Sequence, residues 1–162
     1  METRRAGWIL GAVLAASQAF GAACFAETAA ELNERALRLA KEGRWSDAVA
    51  ALEEALRASP DDAVVRRNLG RIQANWGVDL LEKGDVLTAE QVTRRAGYIL
   101  PDDPVVRLNL AACLDERGYP ARAAAEVRKA LELGPGVPLA HDRMAAVLQR
   151  EGRFEEAAAA WE

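Results

Sequence analysis

The chain has 162 residues, 51% of them hydrophobic but only 6% aromatic, with 28% charged side chains and a net charge of −4. Alanine fills 35 positions. It is the strongest helix former, so the composition favours closely packed helices over a β-sandwich of branched and aromatic strands. The acidic balance excludes a basic nucleic-acid binder held by phosphate contacts. The apolar content excludes a disordered acidic tail, and two cysteines cannot build a disulfide framework.

Residues 1–26 read as a secretory signal peptide. Arg4 and Arg5 form a short positive start, and an uncharged stretch runs from Ala6 to Ala26 with its apolar centre at Trp8-Ile9-Leu10 and Val13-Leu14. Small residues stand at the −3 and −1 positions of a cut after Ala26. A transmembrane anchor is the competing reading, but glycine and alanine leave the segment weakly hydrophobic and Gln18 interrupts it. Gly21-Ala22-Ala23-Cys24 also offers the small residues of a lipid-attachment site, without the Leu or Val expected three residues before Cys24. Cleavage removes Glu2, Arg4 and Arg5, so the net charge moves from −4 to −5. No membrane span is expected after cleavage. The expected location is outside a bacterial cytoplasm, periplasmic or secreted, as a simple exported chain or a lipoprotein. Cys113 then remains in the apolar run Leu110-Ala-Ala-Cys-Leu114 and reads as a buried, inert thiol.

From residue 29 onward the chain repeats itself. Gly43-Arg-Trp-Ser-Asp-Ala48, Gly84-Asp-Val-Leu-Thr-Ala89, Gly118-Tyr-Pro-Ala-Arg-Ala123 and Gly152-Arg-Phe-Glu-Glu-Ala157 are one phrase written four times. The last three glycines recur every 34 residues and the first interval is 41, with Pro60, Pro101 and Pro135 keeping the same step. A two-helix unit of this length, with glycine at one turn and proline at the other, resembles the tetratricopeptide repeat. The match extends over repeats 29–62, 70–103, 104–137 and a partial 138–162. Small residues recur on the first helix of each pair, helix A, at Ala36, Gly77, Ala111 and Ala145. On the second, helix B, they recur at Ala48, Ala89, Ala123 and Ala157, and again at Ala55, Ala96 and Ala130. Small residues at a helix crossing let two axes approach to about 8–10 Å. Larger residues fill the space between neighbours: Leu39, Leu80, Leu114 and Leu148 on helix A, and Trp45, Val86 and Phe154 at the start of helix B.

The expected fold is therefore all-α: an α-solenoid of antiparallel helix pairs over residues 27–162, with three full repeats and part of a fourth. Each glycine should close helix A in a left-handed turn. Asp61-Asp62 and Asp102-Asp103 precede the next helix A as caps. Seven extra residues, Ala63 to Leu69, keep the stripe Val65, Leu69, Ile72, Trp76, Leu80 nearly in phase, so 63–69 reads as about 10 Å more helix. The chain stops at Trp161-Glu162, inside the fourth helix B. Solenoids end in a polar cap, and this ending suggests a piece of a longer protein.

No catalytic constellation is legible: there is no phosphate loop, no H-E-x-x-H, no C-x-x-C and no G-x-S-x-G. No enzyme activity, cofactor or metal is expected. His141 falls at a helix A packing position, and Glu53-Glu54, Asp102-Asp103 and Glu155-Glu156 read as helix faces and caps. The resemblance implies a concave groove of helix A residues that holds a peptide or a partner helix. Its positions carry over to Asn33, Leu37 and Lys41; Arg71, Ala74, Val78 and Glu82; Val105, Leu108, Ala112 and Glu116; and Asp142, Ala146 and Arg150. The family's two-carboxylate clamp is matched only at Asn75. Asn33, Leu37, Val105 and Asn109 stand at its other positions, so a C-terminal carboxylate is not the expected ligand. The primary expectation is a non-catalytic scaffold for another protein or peptide. Two alternatives stay open: the recognition arm of a longer exported enzyme such as a peptidase, and a self-associating structural solenoid.

Overall fold

The computed structural model describes residues 27–150 and 152–159. The signal-like segment 1–26, Cys24, Trp161 and Glu162 lie outside the described residues. Those described form eight helices: α1 (Ala29–Lys41), α2 (Trp45–Ala58), α3 (Ala63–Glu82), α4 (Val86–Ile99), α5 (Pro104–Glu116), α6 (Pro120–Leu133), α7 (Pro138–Arg150) and α8 (Phe154–Ala159). They pair as α1/α2, α3/α4, α5/α6 and α7/α8. The architecture is the expected all-α solenoid. None of the described helices is long and apolar enough to cross a membrane.

Local chemistry sets the boundaries. Each pair turns on a glycine at positive φ (73° at Gly43, 81° at Gly84, 78° at Gly118, 75° at Gly152), and no other described residue has positive φ. That left-handed residue lets the next N–H fold back five residues. Arg44, Asp85, Tyr119 and Arg153 each donate at 2.9 Å to the carbonyl of Leu39, Leu80, Leu114 and Leu148, closing carbonyls that the helix end leaves open. At the other turn, the Asp62 carboxylate accepts from the N–H groups of Val64 and Val65, and that of Asp103 from Val105 and Val106. Thr28 and Glu31 form a reciprocal capping box on α1. The Thr28 N–H and hydroxyl, both donating to Glu31, hold that carboxyl below the ordinary glutamate range. Residues 63–69 belong to one continuous helix with 70–82.

Packing follows the small positions. Ala36, Ala48, Ala55, Ala89, Ala96, Ala123, Ala130 and Ala145 are all fully buried. One core gathers Leu32, Leu52, Val65 and Ile72, with Trp45 and Trp76 half-buried against it. A second gathers Leu108, Leu114, Val127 and Val147. Cys113 is buried, and burial pushes its thiol above the usual cysteine range. Its Sγ donates to Thr93 Oγ1 at 3.7 Å. His141 differs from expectation. It is exposed in the first turn of α7 with Nε2 3.2 Å from the Pro135 carbonyl oxygen, turned toward the connection rather than into a core.

The helix A members touch one another in the order α1–α3–α5–α7, whereas no two helix B members touch among the described residues. The stack is therefore tighter along helix A, which makes that side the inner, concave one.

Candidate protein-binding groove

The inner side is built by α1, α3, α5 and α7. Cross-repeat polar contacts hold its members in register: Asn68 Nδ2 donates to Asn33 Oδ1 at 2.8 Å, and Arg150 Nη1 donates to the Asp115 carbonyl at 3.4 Å. Two adjoining hollows open between α3 and α5. One, about 280 Å³, is lined by Arg71, Ala74, Asn75, Asp103, Val105 and Val106. The other, about 420 Å³, continues past Arg71 and Asp103 to Arg67 and to Ile99, Leu100 and Pro101.

The expected groove residues fall into three groups. Lys41, Arg71, Glu82, Val105, Glu116, Asp142, Ala146 and Arg150 are exposed. Asn33, Leu37 and Val78 are half-buried, Asn33 engaged by Asn68 and Leu37 packed on the first core. Ala74, Leu108 and Ala112 are buried. Ala74 still forms part of a hollow. Leu108 does not offer a surface: it is 0% exposed inside the second core, and Ala112 is only 4% exposed. The reason is position in the stack: α7 packs over α5 and covers Leu108 and Ala112, whereas no described helix A follows α7, so their equivalents Asp142 and Ala146 stay in solvent. Arg67 was not among the expected residues, although it lies one turn before Arg71 on α3. Asn75 is exposed and borders the smaller hollow, but no clamp forms around it, since Val105 and Asn109 bring no cation.

Electrostatics differ along the groove. At its α5/α7 end, Arg150 reaches Asp115 Oδ2 at 3.2 Å and Glu116 Oε1 at 3.3 Å. Asp115 is nearly buried and its Oδ1 has no hydrogen-bond partner among the described residues. Burial pushes its carboxyl above the ordinary aspartate range, only partly countered by Arg150. The native state thus holds this proton more tightly than the unfolded chain, so the group favours folding more as pH falls from its raised native value toward 3.8. Asp115→Asn, which mimics the protonated form, should raise stability at neutral pH, because it removes the negative charge that burial disfavours. The gain should vanish near the acid end of that window. Urea unfolding at both pH values checks this, and a loss of stability at neutral pH would contradict it. Away from the groove, burial pushes the Glu90 carboxyl up, but hydrogen bonds from Arg117 and Arg94 outweigh it and hold the group below its usual range. Arg117 thereby ties α4 to the end of α5, while Arg94 braces Glu90 within α4.

Comparison with known proteins agrees with this fold. Residues 29–72 match the tetratricopeptide repeat family model. The chain is 28% identical, over 158 aligned residues, to cellulose synthase 2 operon protein C of Komagataeibacter xylinus. The alignment covers 79% of this chain and 12% of that protein, so the chain spans a small fraction of its relative's length. Among solved structures, MamA from Desulfovibrio magneticus RS-1 (residue 41 to its end) superposes with a TM-score of 0.60 at 19% identity, over 82% of this chain and 71% of that one. The first tetratricopeptide domain of Spaghetti (RPAP3), bound to the HSP90 peptide SRMEEVD, superposes with a TM-score of 0.56 at 17% identity, over 77% and 94%. The family model covers the first pair and the start of α3, and the same glycine turn and alanine crossings recur in the pairs that follow, so the chain carries a tetratricopeptide repeat at 29–72 within a solenoid of the same build.

Proposed function

We propose that this chain is a protein-interaction scaffold that holds a peptide or helix of a partner protein in the groove of α1, α3, α5 and α7, with no chemistry of its own. The observation that carries the reading is the inner surface itself. Val78, Val105 and Ala146 leave apolar area open on the same set of helices that exposes the charged Lys41, Arg71, Glu82 and Glu116. An apolar strip with a polar border is the usual make-up of a recognition site. The RPAP3 domain, which shares the fold, is described with a peptide bound, and this supports the same use here.

Ala146 provides the test, because it is exposed and a tryptophan there stands in the groove without entering a core. Peptides enriched from a displayed random library on the parent should bind Ala146→Trp at least about tenfold more weakly, the loss of roughly 1.4 kcal/mol of contact. Circular dichroism should be unchanged. Enriched peptides that bind parent and variant alike would place the interface elsewhere.

A further inference from the structure

We infer that the trough between α3 and the α4–α5 turn selects partner segments that present an acidic side chain beside an apolar one, read by Arg67 and Arg71. The inference rests on the groove reading above and names the chemistry of its occupant. Arg67, Arg71 and Asn75 recur every fourth residue on α3, which puts them in one row along the helix. Arg71 borders both adjoining hollows, with Arg67 on the larger and Asn75 on the smaller. Like charges one turn apart repel each other, and neither arginine has an ion pair or hydrogen bond among the described residues. Their neighbours contrast with this. Arg66, on the same helix, donates to the Pro60 carbonyl, and Arg94, Arg107, Arg117 and Arg150 are each paired with a carboxylate.

The opposite wall supplies both the apolar surface and the direction. Ile99, Leu100, Pro101 and Pro104 line the larger hollow, and Val105, 46% exposed, lines the smaller. Asp102 and Asp103 also stand on that side. One oxygen of Asp103 already accepts from two N–H groups at the start of α5. An incoming carboxylate is repelled by this wall and can seat only against α3, so the trough is polarised across its width. An extended segment sends successive side chains to opposite sides, which lets an acidic residue face α3 while its apolar neighbour meets Leu100 and Val105. The acidic group is a side chain within the segment, not a chain end. Arg67 comes from the 63–69 extension, so the two added turns of α3 supply half of the cationic row.

The probe is a fluorescent, N-acetylated and C-amidated peptide alternating glutamate and leucine, with a glutamine–leucine peptide as its neutral counterpart. Fluorescence anisotropy should show the acidic peptide binding about tenfold tighter at low ionic strength, as expected for two exposed charge pairs. The preference should shrink at high salt. Arg67→Gln with Arg71→Gln should abolish the preference at unchanged helical content. Arg67→Lys with Arg71→Lys should keep part of it, and Asp102→Asn should strengthen the acidic peptide several-fold. Equal binding of the two peptides, binding of neither, or a preference that survives the glutamine variants overturns the inference. Because the groove reading is tested separately through Ala146→Trp, peptides that lose affinity there yet show no acidic preference would remove this selectivity and leave the groove standing.

Discussion

Leu108→Ala should destabilise the protein by about 2–5 kcal/mol, the range for truncating a leucine in a closed core. The thermal midpoint should fall by about 10 °C for a chain of this size. Leu108 is wholly enclosed among Val127, Val147, Ala111 and Ala140, at the junction of the third and fourth repeats. Where in that range the cost falls depends on how far α6 and α7 relax into the cavity. A residue lining an open groove would behave differently, losing partner affinity with almost no change in unfolding. A melting curve within a degree or two of the parent would return Leu108 to the surface and show the second core to be misplaced.

Gly77→Ala should cost about 1 kcal/mol net even though alanine is the better helix former. Replacing glycine inside a helix normally gains close to 1 kcal/mol. Here the new Cβ would lie 2.0 Å from Thr93 Oγ1 on α4, a separation no two such atoms sustain. Thr93 is itself fully buried and accepts from Cys113, so it cannot swing away without disturbing α5. Overpacking of this kind costs about 1–3 kcal/mol and outweighs the propensity gain. Combining the change with Thr93→Ala should restore much of the loss, since the offending oxygen is gone. Chemical denaturation of the two single variants and the double variant measures the coupling. A Gly77→Ala protein more stable than the parent would show that α3 and α4 do not cross as closely as described.

These two sites also show what the sequence makes legible. Gly77 stood out because crossing points and left-handed turns make local demands that only a few residue types meet, so Ala36, Ala89, Gly43 and Gly84 announce the architecture by identity and spacing. Exposure on the inner side is not encoded in that way. The equivalent positions Leu108 and Asp142 share a place in the repeat but not an environment, since α7 stacks over the first and no described helix A stacks over the second. Arg67 was illegible for another reason. It falls in the seven residues outside the repeating frame, and only the continuity of α3 lines it up with Arg71. The repeat position of His141 predicts packing, while in the fold it lies in the first turn of α7 beside the Pro135 carbonyl.

The pattern of helix contacts has one more consequence. Each described helix meets only its neighbours and the next helix but one, and the longest side-chain links, such as Asn68 to Asn33, reach back 35 residues. A chain with only short-range closures folds fast and can do so in order of synthesis. Each hairpin needs only one formed neighbour as its docking surface, so assembly can spread along the stack from any pair.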